Sequence, residues 1–140
     1  MRAVYLGDGV DHHTGFSGPA DEYVAFLGRV LPRLDGTQHI VGNHLAEVRG
    51  DVAIAETYGT AVHWGTPSDD AAVNFVSGFR YVDHLERREG RWGIRERWAV
   101  REWTLSTAGR QRPREGEGPT GTRDEHDPLR RLQRRLWGGA

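Results

Sequence analysis

The sequence predicts an α+β fold, with one amphipathic helix followed by a long, curved and strongly aromatic antiparallel sheet. Two observations carry that prediction. Apolar residues recur at helical spacing between about 17 and 34, and from about 38 to 104 the pattern changes to period two with short breaks.

The helix is read from SGPADEYVAFLGRVLPRL at residues 17–34. Pro19 suits a first helical position, where its missing N–H costs nothing, and Asp21 and Glu22 lie at the positive end of the helix dipole. Tyr23, Phe26, Leu27, Val30, Leu31 and Leu34 then form one apolar stripe. Pro32 disturbs the last turn.

Asp35-Gly36 breaks the helix, and four strands are predicted at about 38–48, 52–64, 73–87 and 92–104. Arg49-Gly50-Asp51 and Arg88-Glu89-Gly90 read as tight turns, and GTPSDD at 65–70 as a longer one. Strands joined this closely are antiparallel neighbours, because a parallel return needs a crossover of roughly a dozen residues. On the 52–64 strand, Ala53, Ala55, Thr57, Gly59 and Ala61 share a face with His63. Such a thin face lets a helix lie close or leaves room for a ligand. Phe75, Ser77, Phe79, Tyr81 and Asp83 share a face of the next strand, and Trp92, Ile94, Trp98 and Val100 one of the last.

Beyond Thr104 the chain turns to Gly, Pro and mixed charge, too polar to bury a core. Residues 1–106 are therefore predicted as one domain and 107–140 as a flexible tail. Within the tail LRRLQRRLW at 129–137 could form a short helix that docks Leu129, Leu132 and Leu136 on the domain.

Charge and composition exclude several functions. With 19 basic against 20 acidic residues the net charge is −1, so no field draws the chain to nucleic acid or an anionic membrane. A small neutral ligand is the better expectation. There is no cysteine for a disulfide, a thiol nucleophile or a thiolate metal site. No apolar run approaches the roughly 20 residues of a membrane span, and no signal-peptide core opens the chain, which predicts a cytoplasmic protein. A serine hydrolase is disfavoured because no GxSxG elbow occurs. GDG at 7–9 lacks the strand and helix of a phosphate loop.

The seven histidines hold the chemistry, since imidazole shuttles protons near neutral pH. His44 and His84 read as ordinary surface or core residues. His39, in TQHIVGN, and His63, in ETYGTAVHW, differ. A turn at 49–51 sets position 39 opposite about 61, so His63 becomes a diagonal neighbour on the same face. Two imidazoles could there act on one small substrate. A metal would ask for a third ligand from His12, Asp11 or Asp83, and no HxH or HExxH spacing supplies one; no metal is expected.

Three stretches resemble one family. VDHHTGFSGPADEYVAF is similar to the first strand, loop and helix of the SnoaL-like, scytalone dehydratase-like branch of the nuclear transport factor 2-like superfamily. TQHIVGNHLAEVRGDVAIAETY resembles its central hairpin, and GFRYVDHLERREGRWGIRERWAVREW its last two strands. The resemblance covers about residues 3–104, and the ending RDEHDPLRRL also resembles this branch.

It implies a cone of curved antiparallel sheet closed by helices around an apolar pocket. His39 and His63 would be the acid and base that remove water from a carbonyl-activated alcohol. His12 falls where the family places a carbonyl-polarising tyrosine. The family's N-terminal helical region, with its orienting aspartate, is truncated here, so Asp8, Asp11 or Asp83 is expected to replace that carboxylate.

The resulting expectation is a cofactor-independent hydro-lyase for a small cyclic or polycyclic hydroxy-ketone, such as a polyketide or steroid intermediate. His12, Asn43, Phe79 and Tyr81 would hold the substrate. Isomerisation or polyketide cyclisation begins with the same proton removal and is the alternative, together with a non-catalytic binding or assembly module. An exposed aromatic face further predicts a homodimer or homotrimer.

Overall fold

The computed structural model describes residues 1–106, 109–111, 116 and 118–138. Strand β1 (Tyr5–His13) turns into the short β2 (Phe16–Pro19), which runs directly into helix α1 (Ala20–Val30). Four long strands follow as β3 (Gly36–Arg49), β4 (Val52–Trp64), β5 (Phe75–Arg88) and β6 (Arg91–Ser106). Strand β7 (Gly109–Gln111) and helix α2 (Pro128–Trp137) complete the elements. The tail expectation at 107–108, 112–115, 117 and 139–140 lies outside the described residues.

The sheet is ordered β2-β1-β6-β5-β4-β3, with β7 paired to β6. The β3–β6 meander is antiparallel, as its short joints require. Glu89 and Gly90 take φ of 52° and 75° between β5 and β6. Two successive positive φ values match the right-handed strand twist in a tight hairpin. The sheet as a whole is mixed, because β1 returns to the free edge of β6 and pairs with it in parallel.

The helix is shorter than its apolar stripe. Pro19 forms the N-cap rather than the first helical residue, and β2 claims residues 16–19. The α-helix ends at Val30, and Leu31–Arg33 form a single 3₁₀ turn around Pro32. Proline lacks the N–H for the next α bond and disfavours the α conformation before it.

The two sheet faces have different covers. On one, α1 buries Ala20 and Tyr23, and Ala20 packs with Tyr5 and Ile94. On the other, α2 sinks Leu132 against Ile54, Val82 and Val100, flanked by Trp98, Leu129, Leu136 and Trp137. Burying Leu132 contributes on the order of 2–3 kcal/mol. Asp127 caps α2 by accepting the Leu129 N–H at 2.9 Å and also accepts from buried Arg80, which ties the helix start to the sheet.

The cone is open. Strand β3 is exposed along nearly its whole length, with Ile40, Val41, Leu45 and Val48 all more than half accessible. Among the described residues no helix is long and apolar enough to cross a membrane.

Candidate active site

Cross-strand pairing builds the site on the α1 face. His39 pairs with Ala61, Phe79 with Gly59 and Tyr81 with Thr57, so their side chains share the face of His63. The thin strand face now has a physical role: a side chain at Gly59 would meet the Phe79 ring at 2.5 Å. Glycine there lets Phe79 lie flat as the floor.

His39 and His63 meet edge-on with ring centroids 5.8 Å apart. His63 stacks on Phe75 at 4.4 Å, while His39 lies 5.7 Å from Phe79, which in turn lies 4.7 Å from Tyr81. His63 Nδ1 is shielded from solvent and has no hydrogen-bond partner among the described residues. Such an atom is costly in the folded protein.

Both imidazoles are held below the ordinary value of 6.5. For His39 the cause is burial, then the charge of His13; for His63 it is burial, then the charge of His39. The pair is therefore neutral at neutral pH, with lone pairs ready to accept a proton.

This has a thermodynamic consequence. The unfolded chain binds protons at these positions more readily than the folded one, so stability is complete above about pH 6.5 and falls as pH drops through the depressed folded values. Urea midpoints should decline from pH 7.5 to 5.5, and His63→Gln should flatten that slope. His84, also held down by burial, should leave a residual slope. An unchanged slope would refute the neutral pair.

Neighbouring strand residues point to opposite faces, which separates His12 from His13. His12 pairs with Trp98 and faces α2, away from His39 and His63. Its expected place beside His39 and His63 is therefore not the one it occupies. His13 takes the place: its ring lies 6.1 Å from Tyr81 and stacks on Tyr23 at 4.6 Å.

Asp11 is wholly buried and orients His13, accepting its Nδ1–H and also the Tyr5 hydroxyl. The Tyr23 hydroxyl completes the chain by donating to His13 Nε2 at 3.0 Å. Burial and the charge of Asp11 push the Tyr23 phenol well up, so it stays a donor.

Neither Asp11 nor Asp83 therefore orients His39 or His63. Asp11 serves His13, and Asp83 accepts two 2.7 Å bonds from Arg97, whose guanidinium lies 3.9 Å over the Tyr81 ring. Asn43 lies within the β3 irregularity between Val41 and His44 and lines a shallow depression with Ile40, Tyr58, Trp103 and Phe79, which keeps it beside the aromatic floor. Phe79 and Tyr81 remain at the pair's side.

The face thus combines a neutral imidazole pair, an aromatic floor and an Asp-His-Tyr chain at its far end. No group of three or more carboxylate or imidazole side chains among the described residues is arranged to hold a metal ion. A SnoaL-like domain model matches residues 1–98. The chain belongs to the SnoaL-like family.

Solved structures share the fold of this SnoaL-like chain. A candidate scytalone dehydratase from Novosphingobium aromaticivorans is 19% identical over 82% of this chain and 77% of its own, with a TM-score of 0.65. A type 2 LinA hexachlorocyclohexane dehydrochlorinase is 16% identical over 82% and 78%, also at 0.65. A protein from Kribbella flavida is 19% identical over 74% and 75%, at 0.63. These likenesses establish the nuclear transport factor 2-like fold. No curated protein matches the sequence.

Proposed function

We propose that this SnoaL-like chain is a hydro-lyase that removes water from a small cyclic or polycyclic hydroxy-ketone by imidazole acid-base catalysis. The observation that carries this reading is the neutral, edge-on His39–His63 pair beside Phe79. One imidazole takes the proton alpha to the carbonyl. The imidazolium so formed returns that proton to the departing hydroxyl, directly or through its neighbour. The C–H and C–O bonds break, the C=C bond forms, water leaves, and both rings end neutral. Burial keeps the Tyr81 phenol protonated, so it can donate to the carbonyl oxygen as negative charge gathers there.

The fold likeness to a candidate dehydratase and a dehydrochlorinase supports an elimination, although fold alone does not assign chemistry. Isomerisation or cyclisation would use the same first step and differ in product. A binding or assembly role draws on the exposed apolar residues of β3.

The test begins with a cyclic ketone lacking the hydroxyl, incubated with the protein in D2O. Deuterium should enter the alpha position faster than with free imidazole at equal concentration, and the hydroxylated analogue should yield the enone. Exchange no faster than imidazole would sink the catalytic reading and leave the binding one.

A further inference from the structure

The opposite face of the sheet carries a second constellation. His12 Nε2 lies 3.0 Å from Glu96 Oε1, and His12 Nδ1 lies 2.7 Å from Ser17 Oγ. The cross-strand pairing of His12 with Ser17 and the adjacent pairing of Val10 with Glu96 bring the three together. A carboxylate can only accept, so the His12 proton resides on Nε2 and its Nδ1 lone pair faces the serine hydroxyl. Burial alone would raise the Glu96 carboxyl, but hydrogen bonds from His12 and Arg135 hold it below the usual carboxylate range. The orienting group is thus ionised, the imidazole is in the base tautomer, and the hydroxyl is hydrogen-bonded to it.

The three do not merely cross-link strands at the surface. His12 and Ser17 line a cavity of about 550 Å³ between the sheet, residues 118–122 and α2. Its apolar wall includes Trp98, on which His12 stacks at 5.4 Å, and Leu132. Arg131 also lines it and makes no side-chain hydrogen bond or ion pair among the described residues, leaving its guanidinium for developing negative charge.

We propose that Ser17, His12 and Glu96 form a second catalytic centre, independent of the His39–His63 site, that hydrolyses small carboxylic esters. Ser17 Oγ attacks the ester carbonyl as its proton passes to His12 Nδ1, in the manner of a serine–histidine–acid triad. The tetrahedral intermediate collapses, its C–O bond breaks, and the alcohol leaves with the proton from His12. Water then attacks the acyl-serine, losing a proton to His12, and as the acyl C–O bond breaks His12 returns that proton to Ser17 Oγ and the acid is released. The missing GxSxG elbow does not forbid this, because such centres are defined by geometry and by roles.

When the full chain is treated with a fluorophosphonate, Ser17 Oγ should displace fluoride from the reagent's phosphorus and carry a single phosphonyl group, located by peptide mass spectrometry. It should also hydrolyse p-nitrophenyl butyrate. Ser17→Ala removes an exposed hydroxyl and should keep the melting temperature while returning ester hydrolysis to the buffer rate. His12→Gln should slow both reactions roughly 100-fold or more, and Glu96→Gln should lower the ester rate while moving the acid limb of its pH profile to lower pH, because the anion that favours the imidazolium is gone. Ester turnover that persists in a folded Ser17→Ala chain, an adduct confined to tyrosine, or no adduct at a concentration that labels a known serine hydrolase would each overturn the proposal.

Discussion

His39→Gln is expected to reduce hydroxy-ketone turnover by roughly 10²- to 10⁴-fold, the usual contribution of a positioned general acid or base. Glutamine keeps the size and a hydrogen-bonding end but cannot take a proton at neutral pH. His39 stands on exposed β3, so the substitution should cost little stability. His63→Gln should cost a similar factor in rate. If the two rings pass one proton between them, the double variant should be little worse than either single one, as for residues that act as a unit. The acid limb of the wild-type rate profile should lie below pH 6.5, since burial and neighbouring charge hold both groups under that value. Independent, multiplying losses would show that the rings do not share a proton, and a large drop in melting temperature would assign His39 to structure.

The His39–His63 pairing was legible because hairpin arithmetic is rigid. A turn at 49–51 and a period of two leave little freedom, and the observed partner of His39 is Ala61. The meander was legible for the same reason, as joints this short admit one strand sense. Long-range pairing was not legible: no local pattern tells β1 to lie parallel to β6. That pairing decides which of the two adjacent histidines faces the site.

The spacing did contain a clue. Asp11 and His13, two apart on a strand, share a face, whereas His12 cannot join them. Matching His12 to a family position overrode that alternation. The β3 irregularity after Val41, which sets Asn43 in the Phe79 depression, shifts the register, and Gly42 is its mark in the sequence. Ser17 gave no signal at all, because its partners His12 and Glu96 come from two other strands.

Arg80→Met is expected to be the most destabilising single change, at roughly 3–5 kcal/mol, the usual cost of removing one member of a buried ion network. Arg80 is 4% exposed. It donates to Glu56 at 2.5 Å, to Glu102 at 2.8 Å and to Asp127. Although burial opposes its charge, these three partners raise its pKa. Methionine would fill much of the volume and leave three carboxylates facing one another without a cation. At this chain length the melting temperature should fall by roughly 10 °C or more.

The loss should also depend on pH with a definite sign. Without Arg80 the carboxylates of Glu56, Glu102 and Asp127 face one another with no cation between them, a repulsion that is full at neutral pH and relieved by acid. The deficit against wild type should therefore be largest at pH 7 and shrink towards pH 4.5. Adding Glu56→Gln to Arg80→Met should recover part of it, since neighbours in one network do not add. Denaturant midpoints across that range decide the matter. A deficit that does not change with pH would mean that Arg80 acts through packing of its stem rather than through charge. Because Asp127 caps α2, and α2 walls the Ser17 cavity but not the His39 face, ester hydrolysis should suffer more than dehydration in the same variant.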